Sequence, residues 1–185
     1  MILKTERLIL RPWEERDAED LFKYASNPKV GPIAGWPPHK NMEESLNVIR
    51  NVFSVPECYA VCLKEDNKAI GCIALKMGEA TDMTDAEDEC ELGYWIGEPF
   101  WGQGLIPEAA RELIRHGFED LGMKTIWCGY YDGNEKSKRV QEKCGFVYLH
   151  TIEGLEVPLL GETRTGHTNY LTKERWLLYN RSQKD

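Results

Sequence analysis

Residues 91–110, ELGYWIGEPFWGQGLIPEAA, constrain this chain more than any other stretch. Residues 91–96 read as a strand, 101–106 as a tight turn with Gly102 and Gly104 at alternate positions, and the following residues as the start of a helix. Glycine at such positions lets backbone N–H groups approach a ligand closely. A helix leaving the turn directs its positive dipole end and its unpaired N–H groups back at it. That arrangement receives a phosphate or pyrophosphate. The turn matches neither the G-x-G-x-x-G dinucleotide pattern nor the phosphate loop ending in Gly-Lys-Ser/Thr. Hairpins and helix starts also use glycine, so the turn alone leaves a structural role open.

A second segment lies downstream, after an apolar strand at 125–131: residues 134–146, NEKSKRVQEKCGF. Together the two segments resemble the GNAT superfamily of acetyl-CoA-dependent N-acetyltransferases. Within it the chain is most similar to the RimJ/RimL-like branch, which acetylates ribosomal-protein N-termini. TERLILRPW at 5–13 and YLTKERW at 170–176 resemble that branch as well, in the same order along the chain. The resemblance implies an α/β GNAT fold: a mixed, largely antiparallel central sheet flanked by helices, with acetyl-CoA between two splayed strands.

The bulk properties agree. The length, 185 residues, suits one domain over 1–185. A net charge of −8 argues against non-specific nucleic-acid binding, which needs a basic surface, and suits a cationic partner. No apolar run is long enough to span a bilayer, and the opening MILKTER is not a signal peptide, so a cytoplasmic location without membrane attachment is expected. Six cysteines form no C-x-x-C pair and no cluster with histidine, which reads as reduced core thiols and no metal. From 78 to 91 the chain holds seven acids and no base. One reading is a solvated loop; the other is an electrostatic approach for an amine.

Alternation predicts a strand over 5–11, and helical spacing a helix over 14–26 that ends at Asn27-Pro28. Four prolines and two glycines make 28–41 a loop. A helix is expected over 42–53, a hairpin of strands at 59–63 and 69–75, and a helix over 106–121 with Pro107 in its first turn and Gly122 beyond its end. A short helix at 134–143 and a strand at 146–151 follow. Residues 153–166 are expected as a loop before a last strand at 167–171, with Thr172 capping a terminal turn or helix.

Amide formation from a thioester needs a held donor, a neutral amine, stabilisation of an oxyanion and a group to meet the departing thiolate. By resemblance, backbone donors at Gly102, Gln103, Gly104, Leu105 and Ile106 hold the pyrophosphate, although Trp101 and Ile106 depart from the common first and last residues of this turn. The resemblance also implies that the pantetheine arm bonds backbone near Trp95, Ile96 and Gly97, that an N–H near Ile96 polarises the carbonyl, and that Asn134 binds the arm. Glu91 stands where many relatives place a base; it is equally the last acid of the acidic loop. His39, His150 and His167 are rival bases by their pKa. Many relatives carry an acidic Tyr where this chain has Gln141. The RimJ/RimL-like branch carries a Ser at the position of Ser137, four residues earlier on the same helical face, and the resemblance implies that it orients the thiolate or relays a proton from water. Helix capping is the structural alternative for Asn134 and Ser137. Trp36, in the loop expected to roof the acceptor site, is either a substrate contact or a core anchor.

The expected function is transfer of acetyl from acetyl-CoA to a primary amine, with a protein N-terminal α-amine as leading acceptor and a polyamine, amino acid or antibiotic as alternative. A CoA-binding sensor without catalysis is the rival from another class. Both monomer and homodimer remain open.

Overall fold

The computed structural model describes residues 1–182. Its strands are β1 (Leu3–Lys4), β2 (Leu8–Arg11), β3 (Cys58–Leu63), β4 (Ala69–Lys76), β5 (Glu89–Ile96), β6 (Thr125–Tyr131), β7 (Val147–Val157) and β8 (Glu162–Thr172). Helices α1 (Ala18–Ala25) and α2 (Met42–Val48) lie in the first third of the chain. Helices α3 (Leu105–Glu119), α4 (Glu135–Lys143) and α5 (Lys173–Ser182) follow. The strands form an eight-stranded sheet in the order β1-β2-β3-β4-β5-β6-β8-β7. Neighbours are antiparallel except β5 and β6, which run parallel. Among the described residues, no helix is long and apolar enough to cross a membrane.

Alternation along the strands splits the core in two. Leu8, Leu10, Val61, Ile73, Leu92 and Ile126 face α3, which supplies Ile106, Ala109, Ala110, Leu113, Ile114 and Phe118 at helical spacing. Ala60, Cys62, Ala69 and Cys72 face the other way, toward Leu21 and Ala25 of α1 and Ile49 just beyond α2. The fully buried strand positions under α3 are mostly large side chains, and those under α1 are mostly small ones. All six cysteines are buried free thiols.

Several elements differ from the sequence expectation. Residues 5–11 are not one strand: Thr5 N–H donates to Leu8 O at 3.0 Å, and Thr5 Oγ1 accepts from Leu8 N–H at 3.0 Å, which turns the chain between β1 and β2. The helix expected over 42–53 is α-helical only to Val48 and widens to a π turn over Ile49–Phe53, where Ser54 Oγ donates to Ile49 O at 2.7 Å. Met42, the first residue of that helix, is exposed. The loop expected over 153–166 is mostly strand. β7 and β8 continue to a turn at 158–161, with register shifts on the way. Most of this hairpin extension is exposed, so no buried alternation marked it in the sequence. Thr172 Oγ1 does cap the last helix, accepting from Arg175 N–H at 3.2 Å.

Arg11 and Asp17 tie β2 to the start of α1. The guanidinium donates to both Asp17 oxygens, at 2.7 and 2.8 Å, and also reaches the carbonyls of Pro12 and Asn67. Both partners are buried. Removing one strands the other's charge. Asp17→Ala is therefore expected to destabilise the fold by about 3–5 kcal/mol. Urea denaturation measures this; a loss below about 1 kcal/mol would place the pair with exposed ones.

Candidate active site

β5 and β6 pair at Glu89↔Thr125, Cys90↔Ile126 and Glu91↔Trp127, and there the pairing ends. β5 runs on to Ile96 and β6 to Tyr131 without each other. Side chains meet carbonyls around the gap. Cys128 Sγ donates to Leu92 O at 3.2 Å, Trp101 Nε1 to Ile96 O at 3.0 Å and Gln141 Nε2 to Gly129 O at 3.1 Å. Gly97 N–H donates to Ile70 O of β4 at 2.8 Å. Strand alternation then turns the peptide groups of Leu92, Tyr94 and Ile96 toward the gap, and those of Trp95 and Gly97 toward β4. The gap is one wall of a cleft of about 900 Å³. Among the predicted residues, Trp95, Ile96, Gly102, Gly104, Leu105, Ile106, Asn134 and Ser137 line it; Gly97, Gln103, Glu91 and Trp36 do not.

The glycine turn opens the cleft's far end. Gly102 and Gly104 have φ of +76° and +74°, and Gly104 is the N-cap of α3. No side chain caps this helix, so the N–H groups of Leu105 and Ile106 point at the turn without a side-chain acceptor. A Cβ at Gly102 would meet nothing within 4 Å, and one at Gly104 only Arg7 Nη2 at 3.7 Å. The requirement for glycine is thus the left-handed backbone rather than crowding within the protein. The turn is clamped from the N-terminus. Arg7 Nη1 donates to Gln103 O at 3.0 Å and Arg7 Nε to Glu108 Oε2 at 2.7 Å. Thr5 Oγ1 donates to Glu108 Oε1 at 2.6 Å. Lys136 Nζ lies 4.2 Å from the centre of the Trp101 ring, placing a cation beside the same turn.

On the α3/α4 side of the sheet, Asn134 caps α4: its Oδ1 accepts from Ser137 N–H at 3.1 Å. Ser137 Oγ lies 2.9 Å from the Tyr94 hydroxyl and accepts from Gln141 Nε2 at 3.2 Å. Gln141 is fully buried. Burial also pushes the Tyr94 hydroxyl well above its ordinary pKa, so its proton stays on oxygen.

Glu91, Gly93 and Trp95 alternate onto the opposite face of β5. Glu91 is nearly buried; its Oε1 accepts from Lys76 Nζ at 2.8 Å and its Oε2 from Thr81 Oγ1 at 2.7 Å. Burial lowers the Lys76 pKa, and the Glu91 carboxylate more than offsets this, so it ends above its ordinary value. Thr81 belongs to the acidic loop, and the Met83 methyl of the same loop sits over Gly129 of β6. Trp36 meets Trp95 edge-on, with centroids 5.6 Å apart. His39 lies 5.7 Å from Trp36, with Nδ1 2.8 Å from Ser45 Oγ, and burial lowers its pKa. His167 sits between Thr151 and Asp132 on β8, and His150 is exposed on β7; neither lines the cleft.

Sequence reasoning missed Tyr94 and the clamp made by Arg7 and Glu108. Tyr94 alternates with Leu92 and Ile96, the mark of a core position. Its one signal was a hydroxyl on the strand that borders the glycine turn. Arg7 and Glu108 lie about a hundred residues apart, and no local pattern links them.

The model of the acetyltransferase (GNAT) domain matches residues 7–147. The uncharacterized N-acetyltransferase p20 of Bacillus licheniformis is 30% identical over 130 residues, covering 67% of this chain and 70% of the relative. The ribosomal-protein-serine acetyltransferase of Escherichia coli is 30% identical over 117 residues, covering 60% of this chain and 62% of the relative, which agrees with the RimJ/RimL-like branch. In fold, the chain is similar to a crystal structure of a GNAT-family acetyltransferase from Bacillus anthracis, with a TM-score of 0.83 at 22% identity, covering 94% of this chain and 99% of that one. With its parted parallel strands, its glycine turn at the head of α3 and the match over most of its length, this chain belongs to the GNAT family of acetyl-CoA-dependent acyltransferases.

Proposed function

We propose that the protein transfers acetyl from acetyl-CoA to the α-amine at the N-terminus of a protein. The observation that carries this reading is the placement of the two reactive groups on opposite faces at the parting of β5 and β6. Ser137 and Tyr94 line the cleft from the α3/α4 side, and Glu91 stands on the α1/α2 side under the acidic loop. The donor substrate enters from one face and the amine from the other. The E. coli relative's ribosomal-protein substrate supports a protein acceptor. The exposed acids Asp82, Asp85 and Glu87 support a cationic one.

The turn at Gly102–Gly104 and the first N–H groups of α3 would hold the pyrophosphate, and the gap-facing peptides of Tyr94 and Ile96 the pantetheine arm. The Ile96 N–H would polarise the thioester carbonyl. Glu91, ion-paired with Lys76, takes the amine's proton through water. The amine nitrogen attacks the carbonyl carbon, the C–S bond breaks, and the thiolate leaves past the Ser137 hydroxyl to be protonated by solvent.

Four outcomes test this. Gly104→Val forces a β-branched residue into a left-handed backbone, at a cost of about 1–2 kcal/mol or a shift of the turn. Acetyl-CoA affinity should fall about tenfold or more in a folded variant. Calorimetry giving wild-type affinity would put the pyrophosphate elsewhere.

Ser137→Ala should lower kcat by about 10- to 1,000-fold with acetyl-CoA affinity little changed, because its interaction strengthens in the transition state. Wild-type kcat would reduce Ser137 to a structural donor.

Glu91→Gln should lower kcat at neutral pH and regain part of it at high pH, where more of the amine is already neutral. Neutralising Asp82, Asp85 and Glu87 together should raise KM for a peptide acceptor and flatten its salt dependence with kcat preserved, since screening acts on steering alone. Asp88 is left intact because it pairs with Lys124 at 2.5 Å and anchors the loop. An unchanged pH–rate profile for Glu91→Gln would move the base to His39, and acetylation of polyamines in preference to peptides would replace the acceptor.

A further inference from the structure

Gln141 is a buried amide on α4, and a tyrosine hydroxyl from β5 meets the serine one turn before it. Tyr94 Oη lies 2.9 Å from Ser137 Oγ and 3.2 Å from Ser137 O. Gln141 fixes the other side. Its Nε2 lies 3.1 Å from Gly129 O, a carbonyl that can only accept, so the amide must turn its nitrogen inward. The same nitrogen donates to Ser137 Oγ at 3.2 Å, while Gln141 Oε1 accepts from Asn169 Nδ2 at 2.6 Å.

A serine hydroxyl has two lone pairs and one proton. Gln141 fills one lone pair with a donor that has no alternative role. Tyr94 can fill the second, and its proton has a resting acceptor in the Ser137 carbonyl. The two arrangements differ only in the rotation of two hydroxyl protons. With both lone pairs filled, the Ser137 proton has one direction left, into the cleft that Ser137 lines. Two donors on Oγ also polarise its O–H bond.

We propose that Tyr94 and Gln141 are positioning residues that direct the Ser137 hydroxyl proton toward the sulfur of the donor substrate. The inference rests on the acetyl-transfer reading for its catalytic consequence, but the geometry acts on any thiolate bound in the cleft. Ser137 donates a hydrogen bond and keeps its proton, so no covalent step passes through Tyr94.

The test titrates the thiol of bound CoA, followed by the NMR shift of the carbon next to sulfur, in the wild type, Tyr94→Phe, Ser137→Ala and the double variant. A donor aimed at sulfur favours the thiolate. Tyr94→Phe should weaken thiolate formation about 3- to 10-fold, the worth of one neutral hydrogen bond. In the Ser137→Ala background it should do nothing further, because Tyr94 acts only through Ser137. Gln141→Met is the second variant and should behave alike. The single-turnover rate of acetyl transfer should follow the same non-additive pattern with CoA affinity unchanged. Equal losses in both backgrounds would make Tyr94 a direct donor and overturn the proposal, as would an unaltered thiol titration in Tyr94→Phe. A wild type that acetylates no amine overturns the proposed function instead, and the thiol titration still decides the role of Tyr94.

Discussion

The structure depends on the point where β5 and β6 stop pairing. A parallel pair satisfies its strands' polar groups only while it continues. Beyond Glu91 and Trp127, carbonyls around the gap are met by the Cys128 thiol, the Trp101 indole and the Gln141 amide instead. These groups come from three elements around the cleft, so the opening is held by the walls it separates. Peptide groups of β5 that would have faced β6 are left facing the cleft, where a thioester's carbonyl and amides can use them.

That parting also sorts the chemistry by strand parity. Successive side chains of β5 point to opposite faces. Tyr94 therefore joins Ser137 and Gln141 beside α4, while Glu91 and Trp95 join Lys76, Thr81 and Trp36 beyond the other face. The small side chains of Ala60, Cys62, Ala69 and Cys72 let α1 and α2 sit close against the face proposed for the acceptor. The larger core under α3 fixes the helix whose first turn follows the glycine turn and would receive the anion.

Much of this was legible in the sequence, for reasons that differ by element. Helix α3 and strands β3 to β6 announced themselves through buried periodicity, and the glycine turn through residues that alone tolerate its backbone. The β7–β8 hairpin beyond residue 151 was not legible, because it is largely exposed and carries Gly154 and register shifts. The turn at 5–7 was hidden because its clamp is a partner in α3. Ser137 and Asn134 were placed by their motif, but their hydrogen-bond partners were not. Asn134 turned out to cap α4. Gln141, read only as the absence of an acid, is a buried amide whose orientation is dictated by a backbone carbonyl. Such roles depend on which groups meet in space, and a linear pattern records only which groups exist.

The division of labour across the sheet bears on how this scaffold changes. The groups that would grip the donor are backbone amides held by glycine conformation and by the start of a helix, so most side-chain replacements leave them in place. The acceptor face is roofed by Trp36, Met83 and a loop of exposed acids, which share no hydrogen bond with the glycine turn. A new acceptor preference can therefore arise by exchanging roof residues while the donor side stays as it is. Selection on one substrate is then largely uncoupled from selection on the other, and the protein is a ready starting point for retuning toward other amines.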